Sequence, residues 1–82
     1  MLQDITQAKA LDNAHLWIRF EDGVEGEVDV SQITRFQGVF ASLRDPRMFA
    51  QVQVNPELGT VVWPGGADLA PDVLYELITG HP

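Results

Sequence analysis

The sequence predicts an α+β fold in two layers: a mainly antiparallel five-stranded sheet (two hairpins plus an N-terminal strand) packed against short helices and a C-terminal helix. Three observations predict it. Two alternating runs flank Asp22-Gly23, a strong short-range hairpin mark. A second alternating pair flanks Pro56-Glu57-Leu58-Gly59. After Pro71, the apolar residues Val73, Leu74, Leu77 and Ile78 recur at helical spacing until Gly80 and Pro82 stop them. Residues 1–82 are expected to form one domain, since a chain of 82 residues is too short to divide.

The first strand is read over Ile5 to Leu11, ended by Asp12-Asn13, whose side chains bond their own backbone. In the following hairpin the register follows from the side chains. If Asp22-Gly23 alone were the loop, Phe20 would oppose Glu25 and Ile18 would oppose Glu27, mixing apolar and acidic groups on both faces. With Glu21-Asp22-Gly23 as the loop, Phe20 opposes Val24, Ile18 opposes Gly26 and Leu16 opposes Val28. Arg19 then meets Glu25, and His15 meets Asp29, on the other face. This loop also places Gly23 at the left-handed position of a type I turn.

Beyond the hairpin, Ser31 is expected to cap one helical turn that Gly38 stops. Residues 39 to 50 read as one broken helix or two short ones, the second opened by Asp45 as N-cap and Pro46 at the first helical position. Phe36, Phe40, Leu43 and Phe49 are expected to cover one face of the sheet, each buried phenylalanine contributing roughly 1.5–3 kcal/mol. In the second hairpin Val54 opposes Val61 and Val52 opposes Trp63 on one face, with Gln53 and Val62 on the other. The stripe Val73, Leu74, Leu77, Ile78 then docks the last helix on the sheet.

Composition excludes several functions. Twelve acidic residues against five basic give a net charge of −7, which repels a phosphate backbone, so direct nucleic-acid binding is not expected. The absence of cysteine removes disulfides, thiol catalysis and thiolate metal sites. The stretch Met1-Leu2-Gln3-Asp4-Ile5 has no basic cluster and no apolar run, so a soluble cytoplasmic protein without a membrane anchor is expected. His15 and His81 lie far apart with no third ligand at zinc-like spacing, and Ser31 and Ser42 read as cap and helix positions. No Ser/His/Asp order or phosphate-cradling loop occurs, so neither catalytic residues nor a cofactor are expected.

The candidate binding residues are Trp17, Trp63, Gly65, Gly66, Asp68 and Tyr75. In Trp63-Pro64-Gly65-Gly66-Ala67-Asp68 an indole stands beside a Gly-Gly loop whose backbone a ligand can approach closely. The same residues equally join a strand to a helix: Pro64 ends the pairing, the glycines turn, and Asp68 and Asp72 favour the positive end of the helix dipole. On the first hairpin, alternation puts Glu25, Glu27 and Asp29 on the outer face with Trp17 between His15 and Arg19. An outward tryptophan marks either an interface or the rim of the second layer.

The ordered set Phe20-x-Asp22-Gly23, Val28-Asp29-Val30-Ser31, Phe40-x-x-Leu43, Phe49 and Trp63-Pro64-x-x-x-Asp68-Leu69-x-Pro71-Asp72-x-Leu74-Tyr75 resembles the small bacterial domain-of-unknown-function family numbered 2442. The resemblance covers nearly the whole chain, its last segment being the most specific. It implies an α+β domain without assigned catalytic residues, often encoded beside another small protein in an arrangement like a toxin–antitoxin pair. Longer relatives carry a C-terminal helix-turn-helix, which has no counterpart in these residues. The expected function is thus a non-enzymatic protein-interaction module, the acidic partner of a small basic neighbour. The alternative is a small-ligand or peptide binding domain with its site near the Trp63 to Asp68 loop. Self-association as a homodimer is expected as well, because a five-stranded sheet in so short a chain leaves an edge or face uncovered.

Overall fold

The computed structural model describes residues 4–80. The readings placed on Met1 to Gln3, His81 and Pro82 lie outside the described residues. The first half of the chain is a three-stranded antiparallel meander of β1 (Ile5–Ala10), β2 (His15–Phe20) and β3 (Glu25–Asp29), in that spatial order. The β2–β3 register is the expected one: Leu16 opposes Val28, Ile18 opposes Gly26, Arg19 opposes Glu25 and His15 opposes Asp29. The Phe20 N–H donates to the Val24 carbonyl at 2.8 Å, and Gly23 closes the loop at φ +92°.

β1 pairs with β2 through a turn in which Asn13 and Ala14 both adopt left-handed φ near 59°. One extra residue sits in β1 between the Ile5–Phe20 and Gln7–Arg19 pairs. Strict alternation would put Ile5 on the face opposite Ala8 and Ala10. The bulge at Thr6 switches Ile5 back to their side, where it is buried with Leu16, Ile18 and Phe20.

The five strands do not make a single sheet. β4 (Gln53–Asn55) and β5 (Thr60–Val62) form a separate two-stranded ribbon. β1 packs against both ribbon strands with no ladder between them, and among the described residues its backbone bond to the ribbon goes to the turn. The contact is a backbone bond from the Ile5 N–H to the Gly59 carbonyl at 2.9 Å. Gly59, at φ +68°, lies directly against the Asp4 side chain, where a Cβ would collide. Within the ribbon Val54 opposes Val61 and Gln53 opposes Val62, as expected. The expected pairing of Val52 with Trp63 is absent. The chain folds back after Val62, the Trp63 N–H donates to the Ala67 carbonyl at 2.9 Å, and Val62 bridges to Asp68.

α1 (Val30–Thr34) starts at Asp29, not Ser31: the Asp29 carboxylate accepts from the Ser31 N–H at 3.0 Å and from its hydroxyl. The strand runs to the capping residue itself, so one aspartate ends β3 and opens the helix. α1 stops at Arg35 and Phe36, both left-handed, before Gly38 is reached. A 3₁₀ segment (Gly38–Arg44) and α2 (Pro46–Phe49) follow, and Asp45 caps α2 through the Arg47 N–H at 2.9 Å. Leu43 and Phe49 are buried, while Phe36 and Phe40 pack half-buried at the core's border.

α3 (Pro71–Thr79) lies over β3 with Leu74 fully buried. Ile78 covers Gly26 so closely that a Cβ there would meet its Cγ2 at 2.8 Å. The predicted stripe splits, however: Val73 and Leu77 remain 43% and 55% exposed. They form a ridge parallel to Leu74 and Ile78 at the same four-residue spacing, and the narrow sheet accommodates only one of the two ridges. No helix among the described residues is long and apolar enough to cross a membrane.

Candidate functional site

The two faces of the meander differ sharply in chemistry. Leu16, Ile18, Phe20 and Val28 enter the core, whereas Lys9, Trp17 and Glu27 line up across the three strands on the opposite face. Trp17 is half-buried among these neighbours and takes no part in the core cluster. Around it His15 bridges Glu27 at 3.6 Å and Asp29 at 3.5 Å, and Arg19 reaches Glu25 at 3.8 Å. These pairs are solvent-exposed and contribute little to stability. They do hold the long side chains around the indole. The Asp29 carboxyl lies below its ordinary value, first because the Ser31 hydroxyl donates to it, so it stays ionised in mildly acidic solution.

Trp63 occupies a different environment. It is 3% exposed, its indole N–H donates to the Phe49 carbonyl at 2.9 Å, and its ring lies tilted on Phe49 with centroids 5.7 Å apart. The indole is a core group. Pro64, Gly65 and Gly66 form an exposed turn, both glycines at φ +98°, and Asp68 is exposed beyond it. A ligand at this loop would meet backbone and the Asp68 carboxylate, with the indole sealed beneath. Asp72, not Asp68, bonds the helix start, accepting from the Val73 N–H at 3.0 Å.

Tyr75 joins neither tryptophan. Its ring packs edge-on against Phe20 at 4.9 Å and its hydroxyl donates to Asp22 at 2.6 Å. This bond ties α3 to the β2–β3 loop. It holds the Asp22 carboxyl below its ordinary value and pushes the Tyr75 phenol above its own. Of the six candidate residues, Gly65, Gly66 and Asp68 share the loop after Trp63, while Trp17 and Tyr75 lie elsewhere.

Two of the concave surfaces lie away from all six candidate residues. A cleft of about 830 Å³ lies between the β1–β2 turn and the 3₁₀ segment, lined by Leu11, Asn13, Ala14, Phe36, Leu43 and Phe49 among others. Its walls include three of the four non-glycine residues held left-handed. A groove of about 480 Å³ runs between β3 and α3, with Val28, Ile33, Val73 and Leu77 on its walls and Glu27 and Asp29 at its rim. The available signal was the offset of Val73 and Leu77 from Leu74 and Ile78 by one position. Among the described residues no group of three or more His, Asp or Glu is placed to hold a metal ion.

A family model described as a protein of unknown function, DUF2442, matches residues 5–80. The chain belongs to the DUF2442 family. The match runs from the first residue of β1 to Gly80, the C-cap of α3, so the DUF2442 domain comprises both sheets and all the helices. Comparison with curated proteins and with solved structures gives no match.

Proposed function

We propose that this DUF2442 domain is a non-enzymatic protein-interaction module, the acidic partner of a small basic protein encoded beside it, in an arrangement like a toxin–antitoxin pair. The observation that carries the reading is Trp17, a half-buried indole on the charged outer face of the meander, outside the core, with the acids Glu25, Glu27 and Asp29 along β3 on one side and Lys9 on the other. Large aromatics rimmed by charge are the residue type that anchors interfaces, and the acids steer a cationic partner toward them.

The test is co-expression with the neighbouring gene product followed by co-purification. A complex that forms at low salt and weakens as salt rises is expected. In it, Trp17→Ala should weaken binding at least tenfold while leaving the fold intact, about the 1.4 kcal/mol that marks a contributing interface residue. Failure to form a complex at low salt overturns the proposal.

A further inference from the structure

Resting on that reading of a basic partner, we propose how the partner binds: as an extended segment added to the free edge of β3, beneath the overhang of α3. β3 is the outer strand of the meander. The bonds from the Phe20 N–H to the Val24 carbonyl (2.8 Å) and from the Val30 N–H to the Ala14 carbonyl (2.9 Å) fix which residues face inward. In an antiparallel ladder the bonding alternates, so Val24, Gly26, Val28 and Val30 aim their backbone groups at β2. Glu25 and Glu27 therefore aim theirs away from the sheet, and among the described residues neither is engaged by a backbone bond from a turn, loop or cap.

The helix above is wider than the sheet beneath it. Ile78 and Leu74 cover β3 itself, whereas Val73 and Leu77 stand over the position a fourth strand would occupy. With Val28 and Ile33 they wall the 480 Å³ groove, whose rim is Glu27 and Asp29. An added strand sends alternate side chains to opposite faces. One set enters the apolar groove. The other lies beside Glu25, Glu27 and Asp29 on the outer face, one strand from Trp17. The segment that fits is therefore extended and alternates apolar residues with lysine or arginine. A second copy of this chain is the poorer occupant, because β3 against β3 brings three acids against three acids in a protein of net charge −7.

The probe is a short blocked peptide of alternating lysine and valine, read by amide hydrogen exchange and Trp17 fluorescence. On binding, the Glu25 and Glu27 amides should exchange about tenfold or more slowly as they enter a new ladder. Methylating the peptide nitrogens on the bonding edge should abolish binding, and methylating those on the other edge should preserve it. Leu77→Lys, at an exposed position, should weaken binding about tenfold or more with the fold intact. Binding that perturbs Trp17 but tolerates either methylation and leaves both amides unchanged overturns strand addition while the basic-partner reading stands. No binding at low salt overturns strand addition, and the basic-partner reading is then decided by the co-purification alone. Protection of Glu25 and Glu27 in the free protein that grows with protein concentration assigns the edge to a second copy and overturns the proposal.

Discussion

Replacing Trp63 by phenylalanine separates a core tryptophan from a ligand-binding one. The indole N–H bond to the Phe49 carbonyl, 2.9 Å long and buried, is lost, at about 0.5–1.5 kcal/mol for a typical intramolecular bond. The full penalty of an orphaned carbonyl does not apply, because Phe49 also accepts from the Val52 N–H at 3.3 Å. The smaller ring leaves a void of at least methyl size beside Phe49, adding about 1 kcal/mol. The sum is roughly 1.5–2.5 kcal/mol. For a domain of this length each kcal/mol moves the melting temperature by about 4–8 °C, so Trp63→Phe should melt roughly 6–20 °C below the parent protein. Trp17→Phe, changed on the outer face, should stay within about 0.5 kcal/mol, or less than about 4 °C. Far-UV circular dichroism during heating reads both. A Trp63→Phe variant that melts with the parent, or a Trp17→Phe variant that falls further, refutes the assignment of Trp63 to the core.

Three further outcomes are expected. Leu74→Ala, at a fully buried site, should cost about 2–5 kcal/mol in urea unfolding, whereas Leu77→Ala, 55% exposed on the same helix, should cost less than about 0.5 kcal/mol. Gly26→Val must displace Ile78 and with it α3, for about 1–3 kcal/mol, and hydrogen exchange should show the loss concentrated in α3. The Asp22–Tyr75 bond needs an ionised carboxyl and a neutral phenol. The lowered carboxyl gives stability that is present above its ordinary 3.8 and lost as pH falls through the folded value. The raised phenol gives stability that is present below its ordinary 10.0 and lost as pH rises through the folded value. Tyr75→Phe should therefore flatten the alkaline limb of the urea midpoint against pH, and only reduce the acid limb, where Val24 still donates to Asp22.

The first hairpin was readable to the residue because its two faces differ in chemistry: only one loop length keeps Ile18 and Leu16 opposite Gly26 and Val28 while Arg19 meets Glu25. The same logic placed Trp17 outward. The join between hairpins was not readable, since it depends on Ile5 meeting Gly59 across more than half the chain and on a bulge at Thr6 that nothing in the local pattern marks. The end of α1 is not legible in the sequence, because Arg35 and Phe36 adopt left-handed backbone ahead of Gly38, the residue that favours it. For Trp63 the decisive partner is a carbonyl fourteen residues earlier, beyond the reach of any alternation. For Val73 and Leu77 a helical stripe shows which residues share a side, but the width of the sheet beneath decides how many of them it can hide.

The backbone bond from Ile5 to Gly59 also makes the two outer edges of the meander unequal. Head-to-tail polymerisation by strand pairing needs two vacant edges on each molecule, one to offer and one to receive. At the first residue of β1 the ribbon's turn occupies one such place, held by the bond at Gly59 and by the close packing of Asp4 on the glycine. At β3, the other outer strand of the meander, Glu25 and Glu27 carry no such bond among the described residues. A strand arriving at the start of β1 must therefore displace that turn, whereas one arriving at β3 displaces nothing, so head-to-tail growth of the meander meets an obstacle at one of its two edges.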